Sequence, residues 1–346
     1  MEAKIKELSA LAMAVLVLMV AAAILQYYGA NAQVPEKKQE NGMVSGMELL
    51  DTEVSQEEQE LLEHQMQLEL PQGIGQEQIR VKSDVLQERI SIYIPGIDEE
   101  YYFEHPLRGN STHINDLKLG TEGREGVIEI TLDSVYEVDA KVEDSWLYID
   151  FIPPEDLYEK VIVIDAGHGG SEPGAVKQGI YEKDLNLAIV LKLKELLDQH
   201  PEWKVYYTRT EDVHVSLYDR VDLANLSNAD MFISVHNNST RTGEMTDYSG
   251  TEVMYDEDKA GGELGTEQLS RILLEETTEA CGSRNLGLAL GHSIYIIRTS
   301  EVPVALVEVG FMTDPGELAK LNTDEYQQKV AQGIYQGILR AIEEGF

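Results

Sequence analysis

The sequence predicts an α/β protein. A C-terminal domain with a mostly parallel, mixed six-stranded sheet flanked by helices follows a small antiparallel β domain and an N-terminal transmembrane or signal helix. Three observations predict this. After Lys160, short Val- and Ile-rich runs alternate with helical periods, the pattern of strands buried on both faces. Between about 80 and 154 the apolar residues recur at period two. At the start, Leu8 to Leu25 is apolar throughout except for Ser9.

Residues 1–33 set the compartment. An apolar run of this length leaves water. It fits a membrane anchor, and it also fits a secretory signal, because Ala30-Asn31-Ala32 is an A-x-A cleavage pattern. Lys4 and Lys6 ahead of it put the N-terminus inside under either reading, so the body is expected to be extracytoplasmic, membrane-anchored or secreted. Residues 34–79 are rich in Glu and Gln and read as an acidic linker, partly helical or disordered, that extends by self-repulsion.

Residues 80–154 contain Arg89-Ile90-Ser91-Ile92-Tyr93-Ile94, Val127-Ile128-Glu129-Ile130-Thr131-Leu132 and Trp146-Leu147-Tyr148-Ile149-Asp150-Phe151, each alternating apolar with polar. They predict a β domain that spaces the next one or binds a wall polymer or partner. Pro153-Pro154 marks its end. In 160–346 the expected strands are Val161–Asp165, Lys204–Thr208, Met231–His236, Thr251–Tyr255, Ser293–Arg298 and Pro303–Gly310. The expected helices are Lys183–Gln199, Leu217–Leu226, Glu267–Ala280 and Asp324–Glu344.

Composition excludes several function classes. The chain has 346 residues, with 63 Asp+Glu against 27 Lys+Arg and a formal charge of -36. Such a surface repels phosphate and anionic headgroups, so neither nucleic acid nor charge-driven lipid adsorption is expected. A lone cysteine, Cys281, excludes an intrachain disulfide framework and a CxxC metal site.

In parallel sheets the working residues gather at the C-terminal strand ends. There the sequence has His168 between glycines after the first strand, His236 at the end of another, Glu182 at a helix start, and Glu308 inside the apolar run Val304–Phe311. Two imidazoles and a carboxylate suit a catalytic zinc ion with a fourth position for water, whose pKa would fall toward roughly 7. A second carboxylate is then needed to accept and return a proton, and Glu308 is the spare acid. Each residue alone also has a structural reading: a loop histidine, a helix-dipole partner, an ion pair between Glu308 and Arg298.

In order, Val161-Ile-Val-Ile-Asp165-Ala-Gly-His168-Gly-Gly170 with Pro173-Gly174-Ala175, Glu182-Lys-Asp-Leu-Asn186-Leu, Tyr207-Thr208-Arg209, Arg220, Phe232-Ile-Ser234-Val-His236-Asn-Asn238-Ser and Pro303-Val-Ala-Leu-Val-Glu308-Val-Gly310-Phe311 make residues 160–344 resemble the zinc-dependent N-acetylmuramoyl-L-alanine amidases of the amidase-3 type. The resemblance implies Zn2+ held by His168, Glu182 and His236, with Glu308 as the catalytic acid/base. It implies peptidoglycan as substrate, cut between N-acetylmuramic acid and L-alanine of the stem peptide, in cell-wall remodelling or cell separation. Asn238 and Arg298 are candidate substrate contacts. About thirty residues separate His236 from Glu267, too few for the active-site plug of some relatives, so no inhibitory helix is expected. The 80–154 domain has no residue-level match to the AMIN-type domains that precede some amidases. Two alternatives remain: a catalytically silent amidase-like binding or regulatory protein, and a zinc peptidase acting on stem peptides.

Overall fold

The computed structural model describes residues 44–45, 64–259 and 265–346. The N-terminal apolar segment and most of the acidic linker lie outside them, and among the described residues no helix is long and apolar enough to cross a membrane.

Among the described residues the β unit has nine strands: β1 (Val44–Ser45), β2 (Met66–Glu69), β3 (Arg80–Asp84), β4 (Arg89–Pro95), β5 (Arg108–Gly109), β6 (Ile114–Glu122), β7 (Glu125–Leu132), β8 (Glu137–Glu143) and β9 (Trp146–Ile152). They form two antiparallel sheets, ordered β1-β6-β7-β4-β3 and β5-β2-β9-β8. The period-two pattern has its physical cause here. Ile90, Ile92 and Ile94 of β4, Ile128 and Ile130 of β7, and Leu147, Ile149 and Phe151 of β9 share one buried cluster between the sheets. The unit begins earlier than the expected boundary at 80. Met66 and Leu68 of β2 are buried, and β2 pairs with β9 from Met66↔Ile149 to Glu69↔Trp146. Four alternating residues inside a Glu/Gln-rich stretch carry too little pattern to stand out from a linker.

The second unit contains β10 (Lys160–Ala166), β11 (Val176–Lys177), β12 (Ile180–Tyr181), β13 (Trp203–Tyr207), β14 (Met231–Asn238), β15 (Thr251–Tyr255), β16 (Asn285–Leu290) and β17 (Val304–Phe311). Helices in chain order are α1 (Glu99–Glu104) and α2 (Pro154–Leu157), then α3 (Glu182–Leu197), α4 (Leu217–Leu226), α5 (Thr266–Cys281), α6 (Tyr295–Thr299), α7 (Pro315–Leu321) and α8 (Asp324–Glu343). Six strands form one mixed sheet, β13-β10-β14-β17-β15-β16. Strands β13, β10, β14 and β17 run parallel, and β15 is antiparallel to β17. Ile162, Ile164 and Val307 pack with α3, α5 and α8 on one face; Val161, Val163 and Leu306 pack with α4 and α6 on the other. Both strand faces are therefore apolar, which explains the unbroken runs.

One expected strand is a helix. Ser293–Arg298 has the β-branched and aromatic content of a strand, yet Tyr295–Thr299 is α6. Adjacent Ile296 and Ile297 are both buried, which a half-buried strand does not allow and a helical turn does. The sixth strand is β16 instead, parallel to β15. Its Gly287 and Ala289 weaken the strand signal. Helix α7 has no counterpart among the expected helices, although Asp314 caps it through Glu317 N and Pro315 stands in its first turn. Among the described residues between His236 and Thr266 there is β15 and a single 3-10 turn, Glu257–Lys259, and no inserted helix.

Candidate metal centre

The C-terminal ends of β10, β14 and β17 are neighbours in the sheet, so whatever follows or ends these strands meets at one edge. His168 stands in the loop after β10, Glu182 opens α3, and His236 lies near the end of β14. One ligand-type atom of each comes together in a group spanning no more than 4.8 Å. Glu182 Oε1 lies 2.9 Å from His236 Nδ1 and 3.2 Å from His168 Nε2. The two imidazoles meet edge to face, with centroids 4.8 Å apart.

The chain builds a cradle for these side chains. His168 has φ +60°, an unfavourable conformation for a residue with a Cβ. It is held there because Arg220 Nη2 donates to the His168 carbonyl at 2.7 Å. Arg220 also pairs with Asp165 and donates to the Ala166 carbonyl at 2.9 Å. Arg209 donates to the carbonyls of Ala166, Gly167 and Lys183. Asp165 is fully buried and accepts from Ser234 and Thr208, both at 2.6 Å. Burial pushes its carboxyl up, but the Arg220 guanidinium and the two hydroxyls overrule this and hold it below the usual range. Two glycines leave room for the cluster. A Cβ on Gly167 would stand 2.1 Å from His236 Nε2, and one on Gly174 (φ +65°) would stand 2.5 Å from Glu182 Oε2.

Glu182 is 5% exposed, and Ala175 N donates to its Oε2 at 2.8 Å. Asn237 N donates to its Oε1 at 3.3 Å, and Asn237 Nδ2 donates to Asn186 Oδ1 at 2.8 Å. Burial alone would raise this carboxyl; the hydrogen bonds and charge of His168 and His236 hold it far below the ordinary carboxylate value.

Glu308 pairs in register with His236 across β14 and β17, which brings the spare acid beside the cluster. Its Oε2 is enclosed and meets no hydrogen-bond partner. Burial first, then the negative charges of Glu182 and Glu252, push its carboxyl well above the usual range. Glu252 lies opposite Glu308 on β15, and Asn238 Nδ2 donates to its Oε1 at 2.6 Å.

Two imidazoles, a carboxylate between them, and a second carboxylate left without a partner form a donor set that fits a divalent cation. The four residues line one cavity of about 370 Å3. Four aliphatic residues also line it: Leu217, Ile294, Ile296 and Leu306. A larger cleft of about 770 Å3 lies between the β3–β4 turn and the loop after β13, and none of the four lines it. Asn238 lines the 370 Å3 cavity; Arg298 does not, because its segment is helical and turns the residue outward, where it stands exposed. The alternative ion pair between Glu308 and Arg298 is not formed among the described residues: no base pairs with Glu308. Sequence reasoning assigns no role to Asp165, Arg209, Arg220, Asn186 or Glu252. Asp165, Asn186, Arg209 and Arg220 stand in the motifs that carry the resemblance, and Glu252 stands in none of them.

A family model described as N-acetylmuramoyl-L-alanine amidase matches residues 162–340. The uncharacterised protein YqiI of Bacillus subtilis (strain 168) is 34% identical over 184 residues, which span 53% of this chain and 85% of that protein. The germination-specific N-acetylmuramoyl-L-alanine amidase of the same organism is 31% identical over 202 residues, 54% of this chain and 82% of its own length. The crystal structure of an N-acetylmuramoyl-L-alanine amidase from Clostridium difficile 630 aligns with a TM-score of 0.50 and 33% identity, covering 54% of this chain and 98% of that one.

Proposed function

The chain belongs to the N-acetylmuramoyl-L-alanine amidase family, and from that premise we propose that it is a zinc-dependent enzyme of the extracytoplasmic cell wall, with His168, Glu182 and His236 holding the ion and Glu308 as acid/base. The reaction is hydrolysis of the amide between N-acetylmuramic acid and the L-alanine of the stem peptide. The observation that carries the site assignment is the convergence of three ligand atoms within 4.8 Å, with Glu308 in register beside His236.

Zinc, when bound, polarises the scissile carbonyl and makes water a better nucleophile at neutral pH. Every other step belongs to this chain's side chains. Glu308 takes a proton from the attacking water, and its raised pKa makes it a competent base and then a competent acid. The water oxygen bonds to the carbonyl carbon, Glu308 returns the proton to the departing alanine nitrogen, and the C–N bond breaks to leave a carboxylic acid on the lactyl side and the amine of L-alanine, the acid's remaining proton then passing to that amine or to solvent. Glu252 and Glu182 keep the field at Glu308 negative, which favours the protonated form needed for that return. The Arg220 and Arg209 hydrogen bonds fix the loop carrying His168. A cell-wall role such as remodelling or cell separation follows from the substrate, and attachment to the membrane would rest on the residues before 34.

Digestion of purified peptidoglycan by the full chain tests this. Intact glycan with whole stem peptides bearing free L-alanine amines is the expected product, lost on chelation and restored by zinc. Cleavage inside the stem peptide would make the protein a peptidase, and a protein that takes up no zinc and cleaves nothing would be a silent relative.

A further inference from the structure

Asn186 is fully buried on α3, on the same helix face as Ile189 and Val190. A primary amide in such a place is costly unless its polar atoms find partners, and a leucine would fill similar space without that cost. The partners it finds are the informative feature. Its Nδ2 donates at 3.0 Å to the carbonyl of Gly167, the residue before His168. The same Nδ2 stands 3.5 Å from Glu182 Oε1, one helical turn back on α3. Its Oδ1 accepts at 2.8 Å from Nδ2 of Asn237, the residue after His236. Each partner belongs to a different ligand-bearing segment: the loop after β10, the start of α3 and the end of β14.

Asn237 extends this tie. It is buried, and the β14–β17 ladder shifts register between His236 and Asn238. At that irregularity its N–H donates to Glu182 Oε1 at 3.3 Å, while Ala175 N holds Oε2. Arg209 and Arg220 fix the His168 loop; the asparagine pair links that loop to the strand carrying His236. We propose that Asn186 and Asn237 are positioning residues, whose paired amides lock these three segments in the arrangement that gathers His168, Glu182 and His236 before an ion enters. The inference rests on the metal-site reading above and adds to it a pair that acts through the three ligand residues. A turn of the Glu182 carboxylate, or a slide of β14 past the His168 loop, would separate ligand atoms that now lie within 4.8 Å, and the amide bonds oppose both.

The test uses the full chain as Asn186→Leu, Asn237→Leu and the double variant. Ile189→Val, on the same buried face of α3, controls for lost packing. Zinc affinity is read by competition with a chelating dye. Co2+ loaded into the same proteins gives a visible absorption spectrum that follows the donor geometry around the ion. Each single variant is expected to bind zinc about 10- to 100-fold more weakly and to change the cobalt spectrum. The double variant should bind within about threefold of the weaker single, because the two amides act as one unit. Ile189→Val should keep the wild-type affinity and spectrum. If Asn186→Leu does not fold, Asn237→Leu carries the same expectation by itself. Wild-type affinity and spectrum in either folded single variant would overturn the proposal, as would a loss no larger than that of Ile189→Val. Fully additive losses would make the two amides independent and overturn the pairing. A wild-type chain that takes up neither ion would sink the metal reading itself, a result distinct from a zinc-binding wild type whose variants bind equally well.

Discussion

Replacing Arg220 by methionine asks whether the loop carrying His168 is held by its buried arginine. Arg220 is 2% exposed and Asp165 is fully buried. The substitution keeps most of the side-chain volume but removes the guanidinium. Asp165 loses its ion pair, and the carbonyls of Ala166, His168 and Val215 lose a donor. Stranding one member of a buried pair costs about 3–5 kcal/mol. With a urea m-value of about 2 kcal/mol/M, the unfolding midpoint should fall by roughly 2 M. The pH dependence has a definite sign. Asp165 has a folded pKa below its ordinary 3.8, so it contributes stability above that value and the contribution fades as pH falls through the folded pKa. In the Arg220→Met variant the carboxylate has lost its partner, so the gap between wild type and variant should narrow as the pH drops below about 4. A second readout is metal affinity, measured by competition with a chelating dye. Without the bond to its carbonyl, His168 is free to leave φ +60°, and affinity should fall about 10- to 100-fold. A loss below about 1 kcal/mol at pH 7, together with unchanged metal affinity, would refute the claim that Arg220 holds the site.

Glu308→Gln should lower kcat by about 10²- to 10⁴-fold while the protein still binds one zinc ion, as read by metal analysis and rate measurement on the same sample. Glu252→Gln removes one of the negative charges that raise the Glu308 carboxyl, so the acidic limb of the pH–rate profile should move to lower pH; a limb that stays in place would remove Glu252 from the site's electrostatics. Gly167→Ala places a methyl 2.1 Å from His236 Nε2, so it should cost about 1–3 kcal/mol in thermal or urea unfolding and weaken metal binding together.

The sheet of the second unit is legible in the sequence wherever a strand is buried on both faces, as at Val161–Ile164 and Val304–Val307, because continuous hydrocarbon has few other uses in an α/β chain. Edge elements are not. Strand β16 is half-exposed and carries glycine, and α6 is a five-residue turn whose isoleucines look like strand residues until tertiary packing buries two neighbours at once. Of the site, the residues at strand and helix ends can be named from their context and the family resemblance: His168, Glu182, His236 and Glu308. Glu252 cannot, because its approach to Glu308 depends on β15 entering the sheet antiparallel beside β17, a register that no local pattern records. Arg209 and Arg220 stand among the residues that carry the resemblance, yet no local pattern shows what they hold. Most of their partners are backbone carbonyls, which any sequence possesses.

Pro153-Pro154 reads as a boundary, and the fold does change there from sandwich to α/β sheet. Yet Val135, from the β unit, is buried in the same apolar cluster as Val161, Tyr206 and Phe232. Its N–H donates to the Leu226 carbonyl, and Ser134 Oγ donates to the same oxygen. Glu137 accepts from Tyr206 at 2.8 Å and pairs with Lys204 at 2.6 Å, both on β13. Strand β13 is the edge of the mixed sheet, and the loop that follows it carries Arg209, which grips the metal-site loop. The β unit therefore packs against β13 through Glu137 and shares an apolar cluster with the second unit through Val135. A chain cut at residue 160 would lose Val135 from that cluster and Glu137 from Tyr206 and Lys204.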